Sequence, residues 1–246
     1  MSTLSMISLP LDLRALRRWS AGRNLAIDEG CALHHLLSET FGKGILQPFR
    51  LMVTREARVG TLYAYTAQNQ TALRETARET ACPEALVVCD PARMAVKAMP
   101  DAWRTGRRLA FDIRVRPVRR LRQPVGDFKR KGAEVDAFLV ETLRRFPDGL
   151  PEEAGVGLQR DQVYAQWFAE RLGEAAHPEI IRMTRFERSR VLRHGSVLAE
   201  GPDVALQGEL TVTDGEKFAE KLAKGVGRHT AYGYGMLLLR PAQRRA

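Results

Sequence analysis

The sequence predicts an α+β protein in which the element order β-α-β-β-α-β occurs twice. Three observations carry this. Strand-like and helix-like apolar periodicities alternate in that order from residue 4 to residue 98. They do so again from 108 to 240, with one additional helix. The chain has 246 residues, 44% of them hydrophobic, enough to furnish two small cores. The repetition is one of element order, without a sequence repeat. A βαββαβ string is the ferredoxin-like (RRM-like) unit. The expected architecture is therefore two such units in tandem, 1–103 and 104–246, meeting near residues 100–106.

Residues 4–9 read as a short strand ended by Pro10. Residues 11–19 read as a basic amphipathic turn or helix carrying Arg14, Arg17 and Arg18. Asp28 suits a helix N-cap, where its carboxylate meets free amides. The helix after it places Ala32, Leu33, Leu36, Leu37 and Phe41 on one stripe and stops at Gly42 and Gly44. Strands follow at 49–54 and 61–66, then a polar helix at 71–80. Residues 84–89 open a last extended region reaching 98. In the second half, Phe111, Ile113 and Val115 alternate along a strand over 108–118. A basic link over 119–124 leads to helices at 133–146 and 161–174. Extended stretches at 180–193 and 204–213, a helix at 215–224 and a strand at 235–240 complete the order. The tail, 243–246, reads as disordered.

Charge and cysteine usage narrow the class. Lys and Arg number 39 against 29 Asp and Glu, a formal +10 with pI near 10.0. That is the electrostatic footprint of a nucleic-acid binder, shared with other basic proteins. Most of the positive charge is arginine, which favours planar, bidentate phosphate contacts. Three cysteines without a CxxC pair, Cys31, Cys82 and Cys89, argue for a reducing cytoplasm and against a structural zinc site. The N-terminus lacks a signal-peptide pattern, and no run approaches membrane-spanning length. Asp136 and Glu141, or Glu152 and Glu153, do not form a two-metal carboxylate set, and no cofactor is expected. Trp19, Trp103 and Trp167 read as core or anchor residues.

The densest motif is the window 225–241, with four glycines, two tyrosines, Arg228 and His229 between a helix and a strand. Gly225, Gly227, Gly233 and Gly235 permit positive φ and close backbone approach. Such a loop beside a helix end suits a phosphate backbone. By itself it suits a long closing turn equally well.

This window, GVGRHTAYGYGMLLLRP, resembles the C-terminal glycine-rich signature of the CasE-type CRISPR repeat-processing endoribonucleases of type I-E systems. Asp28 to His34 on the first helix, Gln47-Pro48-Phe49-Arg50, Phe111 to Arg114 and Lys131 to Phe138 agree in order and spacing. The resemblance spans essentially the whole chain. It implies tandem ferredoxin-like domains that bind the hairpin of CRISPR repeat RNA and cut once at the 3′ base of its stem. It implies no metal. The mature guide RNA would stay bound and enter a surveillance complex with other subunits, and no membrane is implied.

Metal-free cleavage uses the substrate's 2′-OH as nucleophile, a base to take its proton and donors to stabilise the phosphorane. His34 matches the family's catalytic histidine, and Leu33, Leu36 and Leu37 leave it near the edge of the buried face. His35 is the competing residue, about 100° round the helix. Where some family members carry a tyrosine this chain has Cys31, and where some carry a lysine it has Glu39, which would repel phosphate. Lys43, Arg23, Arg228 and His229 are the alternative sources of charge, and Tyr232 and His229 the competing side chains of the loop. For RNA binding the resemblance points to Arg182, Arg185, Arg188, Arg190 and Arg193 on a basic hairpin with its turn at His194-Gly195. A second patch comprises Arg114, Arg116, Arg119, Arg120, Arg122, Lys129, Arg130 and Lys131. The glycine-rich loop, through Gly225, Gly227, Arg228, His229, Gly233 and Gly235, would hold RNA backbone opposite the helix of His34. A non-catalytic subunit that caps the guide-RNA hairpin is the alternative. A general RRM-like binder lacks its aromatic strand signature here.

Overall fold

A computed structural model of the chain describes residues 4–128, 131–147, 157–190, 192–193, 196–197 and 200–242. Strand β1 (Ser5–Asp12) ends on Asp12, whose carboxylate accepts the Ala15 amide at 2.7 Å and so caps helix α1 (Leu13–Ala21). Asp28 does the same for helix α2 (Glu29–Phe41), accepting the Cys31 amide at 3.1 Å. Gly42, at φ +92°, turns the chain out of α2. Strands β2 (Phe49–Met52) and β3 (Val59–Thr66), helices α3 (Gln70–Thr80) and α4 (Pro83–Val88), and strand β4 (Ala95–Ala98) complete the first unit.

The second unit opens with β5 (Arg108–Val115), followed by the short pair β6 (Val118–Arg120) and β7 (Glu134–Asp136). Helices α5 (Ala137–Arg145) and α6 (Arg160–Leu172) precede the long strand β8 (Ala176–Ser189). A two-residue ladder joins β9 (Leu192–Arg193) to β10 (Ser196–Val197). Strand β11 (Gly201–Val212), helix α7 (Gly215–Lys224) and strand β12 (Leu238–Pro241) finish it.

The sheets run β2-β3-β1-β4 and β12-β5-β11-β8, with antiparallel neighbours throughout. Numbered within each unit, both orders are 4-1-3-2. The fold is thus the expected α+β pair of ferredoxin-like units.

Each sheet buries one face beneath its helices. Ile7, Leu9, Leu11, Leu62 and Ala64 meet Ala32, Leu33, Leu36, Leu37 and Phe41 of α2 in the first core. The other face of that sheet is not left to solvent. Tyr65 belongs to the second unit's core, together with Phe111, Trp167, Phe168 and Phe218, and Met6 and Tyr63 pack against it. The Tyr65 hydroxyl donates to the Leu237 carbonyl at 2.8 Å. Arg50 of β2 reaches Asp112 of β5 in a buried ion pair, and Gln207 donates to the other oxygen of Asp112 at 2.6 Å. Breaking such a buried pair from one side costs about 3–5 kcal/mol.

Several element expectations are corrected. Residues 84–89 are not extended; Pro83 begins a helix, because a proline at N1 is pre-set for it. Pro10 does not end β1. The partner β4 covers only Ser5 to Ser8, so Pro10 sits where one side of the strand is unpaired, as a proline requires. The strand over 108–118 breaks at Arg116-Pro117, and the helix placed at 133–146 begins as β7. All three cysteines are free thiols, and Trp19, Trp103 and Trp167 are buried. Among the described residues, no helix is long and apolar enough to cross a membrane. Lys129, Arg130, Glu152, Glu153, His194, Gly195, the tail 243–246 and the side chain of Arg193 lie outside what is described.

Candidate active site

The glycine-rich loop is fixed at both ends before it reaches α2. The Val226 amide donates to the Gly235 carbonyl at 2.8 Å, and the Gly235 amide to the Arg114 carbonyl of β5 at 2.7 Å. Between these ends the chain takes positive φ at Gly225, Gly227, His229, Gly233 and Gly235, with a 3₁₀ turn at Thr230–Tyr232. His229 is the one non-glycine residue in the set, at φ +62°, an uncommon conformation that its surroundings must impose. Gly227 is required for contact as well as for φ, since a Cβ there would stand 2.8 Å from the Trp167 ring.

The turn then presses on α2. A Cβ on Gly30 would lie 2.4 Å from the Tyr232 carbonyl oxygen, so only glycine at this helical position admits the loop. Gln47, beside the cis Gln47-Pro48 bond, donates to the Thr230 hydroxyl at 3.1 Å from the other flank. The two units therefore meet where His34 and Tyr232 meet, with ring centroids 5.1 Å apart.

Around them opens a cleft of about 740 Å³, lined by Cys31, His34, His35, Lys43, Gln47 and Tyr232 among others. His34 is half-buried and His35 exposed. Burial, and then the positive charges of His35 and Lys43, hold the His34 imidazole below its ordinary 6.5; a backbone hydrogen bond at Ala231 opposes the shift. A neutral imidazole beside an exposed lysine can accept a proton while the lysine faces an anion. Glu39 does not line this cleft. It turns toward Arg23, whose guanidinium lies 3.7 Å away. Glu39 is thereby paired outside the cleft, and Arg23 is held there with it, stacked 4.3 Å over Trp19. Cys31 is buried, with its thiol pushed up by desolvation and by Asp28.

Arg228 and His229 do not project freely. Glu134 of β7 takes both, Arg228 Nε at 2.6 Å and His229 Nε2 at 2.8 Å. Against the opposing effect of burial, the hydrogen bond and charge of His229, and then the charge of Arg228, hold the Glu134 carboxyl down at about 2. His229 in turn lies 6.4 Å from both Tyr232 and Tyr234, ring to ring. Sequence reasoning missed Glu134 and Gly30. The Glu134 contacts span 95 residues, and the demand on Gly30 comes from a carbonyl two hundred residues later.

The basic residues divide. Arg114 and Arg116 are structural. Arg114 forks onto Asp203 at 2.9 and 2.5 Å, and the buried Arg116 donates to Ser189 at 3.0 Å. Arg185 joins the same carboxylate at 2.8 Å and keeps an exposed flank. Arg182, Arg188 and Arg190 are exposed on β8 and just after it, Arg188 within 3.6 Å of Glu200. Arg119, Arg120, Arg122, Gly225, Gly227 and Arg228 line a trough that shares no lining residue with the His34 cleft. Among the described residues, no group of three or more His, Cys, Asp or Glu side chains converges as metal ligands would.

A family model described as "CRISPR associated protein" matches residues 5–241. Among solved structures, the CRISPR endoribonuclease Cse3 bound to a 19 nt RNA is 19% identical with TM-score 0.66, covering 97% of this chain and all of that one. Cas6e from Escherichia coli str. K-12 is 18% identical with TM-score 0.57, over 97% of this chain and all of that one. A chain of a CRISPR RNA-guided surveillance complex is 15% identical with TM-score 0.53, over 97% and 100%. These likenesses establish the fold. Comparison with curated proteins finds no match.

Proposed function

We propose that this chain, which belongs to the CRISPR associated protein family, is an endoribonuclease that binds the hairpin of CRISPR repeat RNA and cleaves it once at the 3′ base of the stem without a metal ion. The observation that carries the reading is the cleft itself. It sets a half-buried, neutral His34 beside exposed Lys43 and under Tyr232, at the foot of a glycine-rich loop.

His34 takes the proton of the 2′-OH. The O2′–P bond forms as the P–O5′ bond breaks, leaving a 2′,3′-cyclic phosphate. The departing 5′ oxygen takes a proton from water, which the open cleft admits. Lys43 offsets the charge that develops on the phosphorane, the place left vacant by Glu39, and the Tyr232 ring fixes the orientation of the imidazole. One proton carrier and one cation supply only part of the barrier, so turnover is slow and the product stays bound.

Arg182, Arg185, Arg188 and Arg190 bear on the stem through phosphate and 2′-OH contacts. The structural likeness to a chain of a surveillance complex supports hand-over of the guide RNA to other subunits of such an assembly. The second reading, a hairpin-binding subunit that does not cut, is favoured by one observation: Cys31, not a tyrosine, faces the cleft beside His34.

The test is incubation with the cognate repeat RNA in EDTA. Cleavage is expected, and a single 2′-deoxy nucleotide 5′ of the cut is expected to abolish it. Cleavage that requires Mg²⁺ sinks the chemistry. Tight binding without cleavage selects the second reading.

A further inference from the structure

The trough that begins at Gly225, Gly227 and Arg228 of the glycine-rich loop is larger than the His34 cleft, about 1680 Å³, and draws its cations from four separate parts of the second unit. Strand β6 and the link after it give Arg120 and Arg122, α5 gives Arg144, α6 gives Arg171, and α7 gives Lys221 and Lys224. The two carboxylates of its lining, Glu174 and Glu220, are already engaged by Lys217 and Lys224. Among the described residues no carboxylate comes within ion-pair reach of Arg120, Arg122, Lys131, Arg144 or Lys221. Five cations that meet no carboxylate among the described residues, gathered in one concavity, repel one another and favour a polyanion as the occupant.

The lining contains no aromatic side chain. A platform for stacking bases is therefore absent among the described residues, and the trough addresses sugar–phosphate backbone without regard to sequence. It also borders the cleavage cleft. Arg228 lines the trough and Ala231 lines the cleft, and three residues of chain span at most about 11 Å. A strand whose scissile phosphate lies at His34 thus enters the trough within a few nucleotides.

Resting on the proposed function, the geometry points to a second RNA site: the trough holds the unpaired strand of the precursor that flanks the hairpin at the cut. The β8 arginines, on a different surface, keep the stem.

The experiment uses the full chain and three RNAs made uncleavable by a 2′-deoxy nucleotide: the bare hairpin, and the hairpin with six unpaired nucleotides added 5′ or 3′ of its stem. Affinity is measured by fluorescence anisotropy across salt. The extended RNA on one side is expected to bind more tightly and with a steeper salt dependence, each phosphate engaged adding about −0.7 to the log–log slope. In the Arg144→Glu/Lys221→Glu protein, with the milder Arg144→Ala/Lys221→Ala as a control for folding, that gain is expected to vanish while bare-hairpin affinity stays within about twofold. The inference is overturned if neither flank changes the slope, or if both variants weaken bare and extended hairpins alike, which would place the stem in the trough. Failure of the unmodified protein to bind the bare hairpin would overturn the functional reading instead.

Discussion

Replacing Gly30 by alanine is expected to slow cleavage while leaving the fold standing. Gly30 is the second residue of α2 and has an ordinary helical φ, so the backbone there does not need glycine. Helix propensity even favours alanine, by at most about 1 kcal/mol. The obstacle is the Tyr232 carbonyl oxygen, 2.4 Å from the new Cβ where ordinary contact begins at 3.4 Å. The Thr230–Tyr232 turn must therefore retreat by about 1 Å, and neither atom is the pliable end of a side chain. Overpacking of this kind costs about 1–3 kcal/mol, partly offset by the propensity term. For a chain of this size the melting temperature falls by less than about 8 °C. Cleavage suffers more, because a 1 Å misplacement at a reacting centre costs on the order of 100-fold. Single-turnover cleavage of the repeat RNA and a thermal melt, run on the same preparation, separate the two effects. A G30A protein that cleaves at the unmodified rate would refute the argument that Tyr232 is seated against α2.

Four further outcomes follow from the same geometry. His34→Ala is expected to lose about 10²–10⁴ in cleavage rate with RNA affinity intact. Because the base must be neutral, the rate in the unmodified protein should rise with pH through a midpoint below 6.5, and Lys43→Met, by removing a positive neighbour, should move that midpoint upward. Glu134→Gln is expected to destabilise the protein by about 3 kcal/mol at neutral pH, since a carboxyl held at about 2 instead of 4.5 contributes that much. The contribution is fully present above 4.5 and lost as pH falls toward 2, so unfolding curves of the two proteins should converge in acid. Arg50→Ala leaves Asp112 buried with only Gln207 as the named donor, and a loss of about 3 kcal/mol in urea unfolding is expected.

What the sequence revealed is what local patterns encode. The Asp28 cap, the stripe from Ala32 to Phe41 and the stop at Gly42 are all local signals between residues 28 and 42, and α2 has the buried face they predict. The extended reading of residues 84–89 fails because Val87-Val88 has strand-like character, whereas Pro83 at the first helical position sets a helical turn. β6 and β7 were invisible as a pair, being three residues each and joined by a ladder rather than by a periodic pattern. At the site, His34 and the glycines were legible by type and position. The roles of the charged residues were not. An arginine reads the same in sequence whether it meets phosphate or Asp203, and Arg114 meets Asp203 across 89 residues. Glu39 likewise looked adverse until its partner, Arg23, placed it outside the cleft.

The separation of His34 from Tyr232 along the chain also bears on when the protein becomes dangerous. A ribosome adding about 5–20 residues per second reaches Tyr232 some 10–40 s after His34. During that interval the first unit lacks the loop that completes its cleft, and Met6, Tyr63 and Tyr65 await the second core that covers them. With the function proposed above, a chain assembled this way cannot cut the transcripts around its own ribosome until the loop carrying Tyr232 has been made.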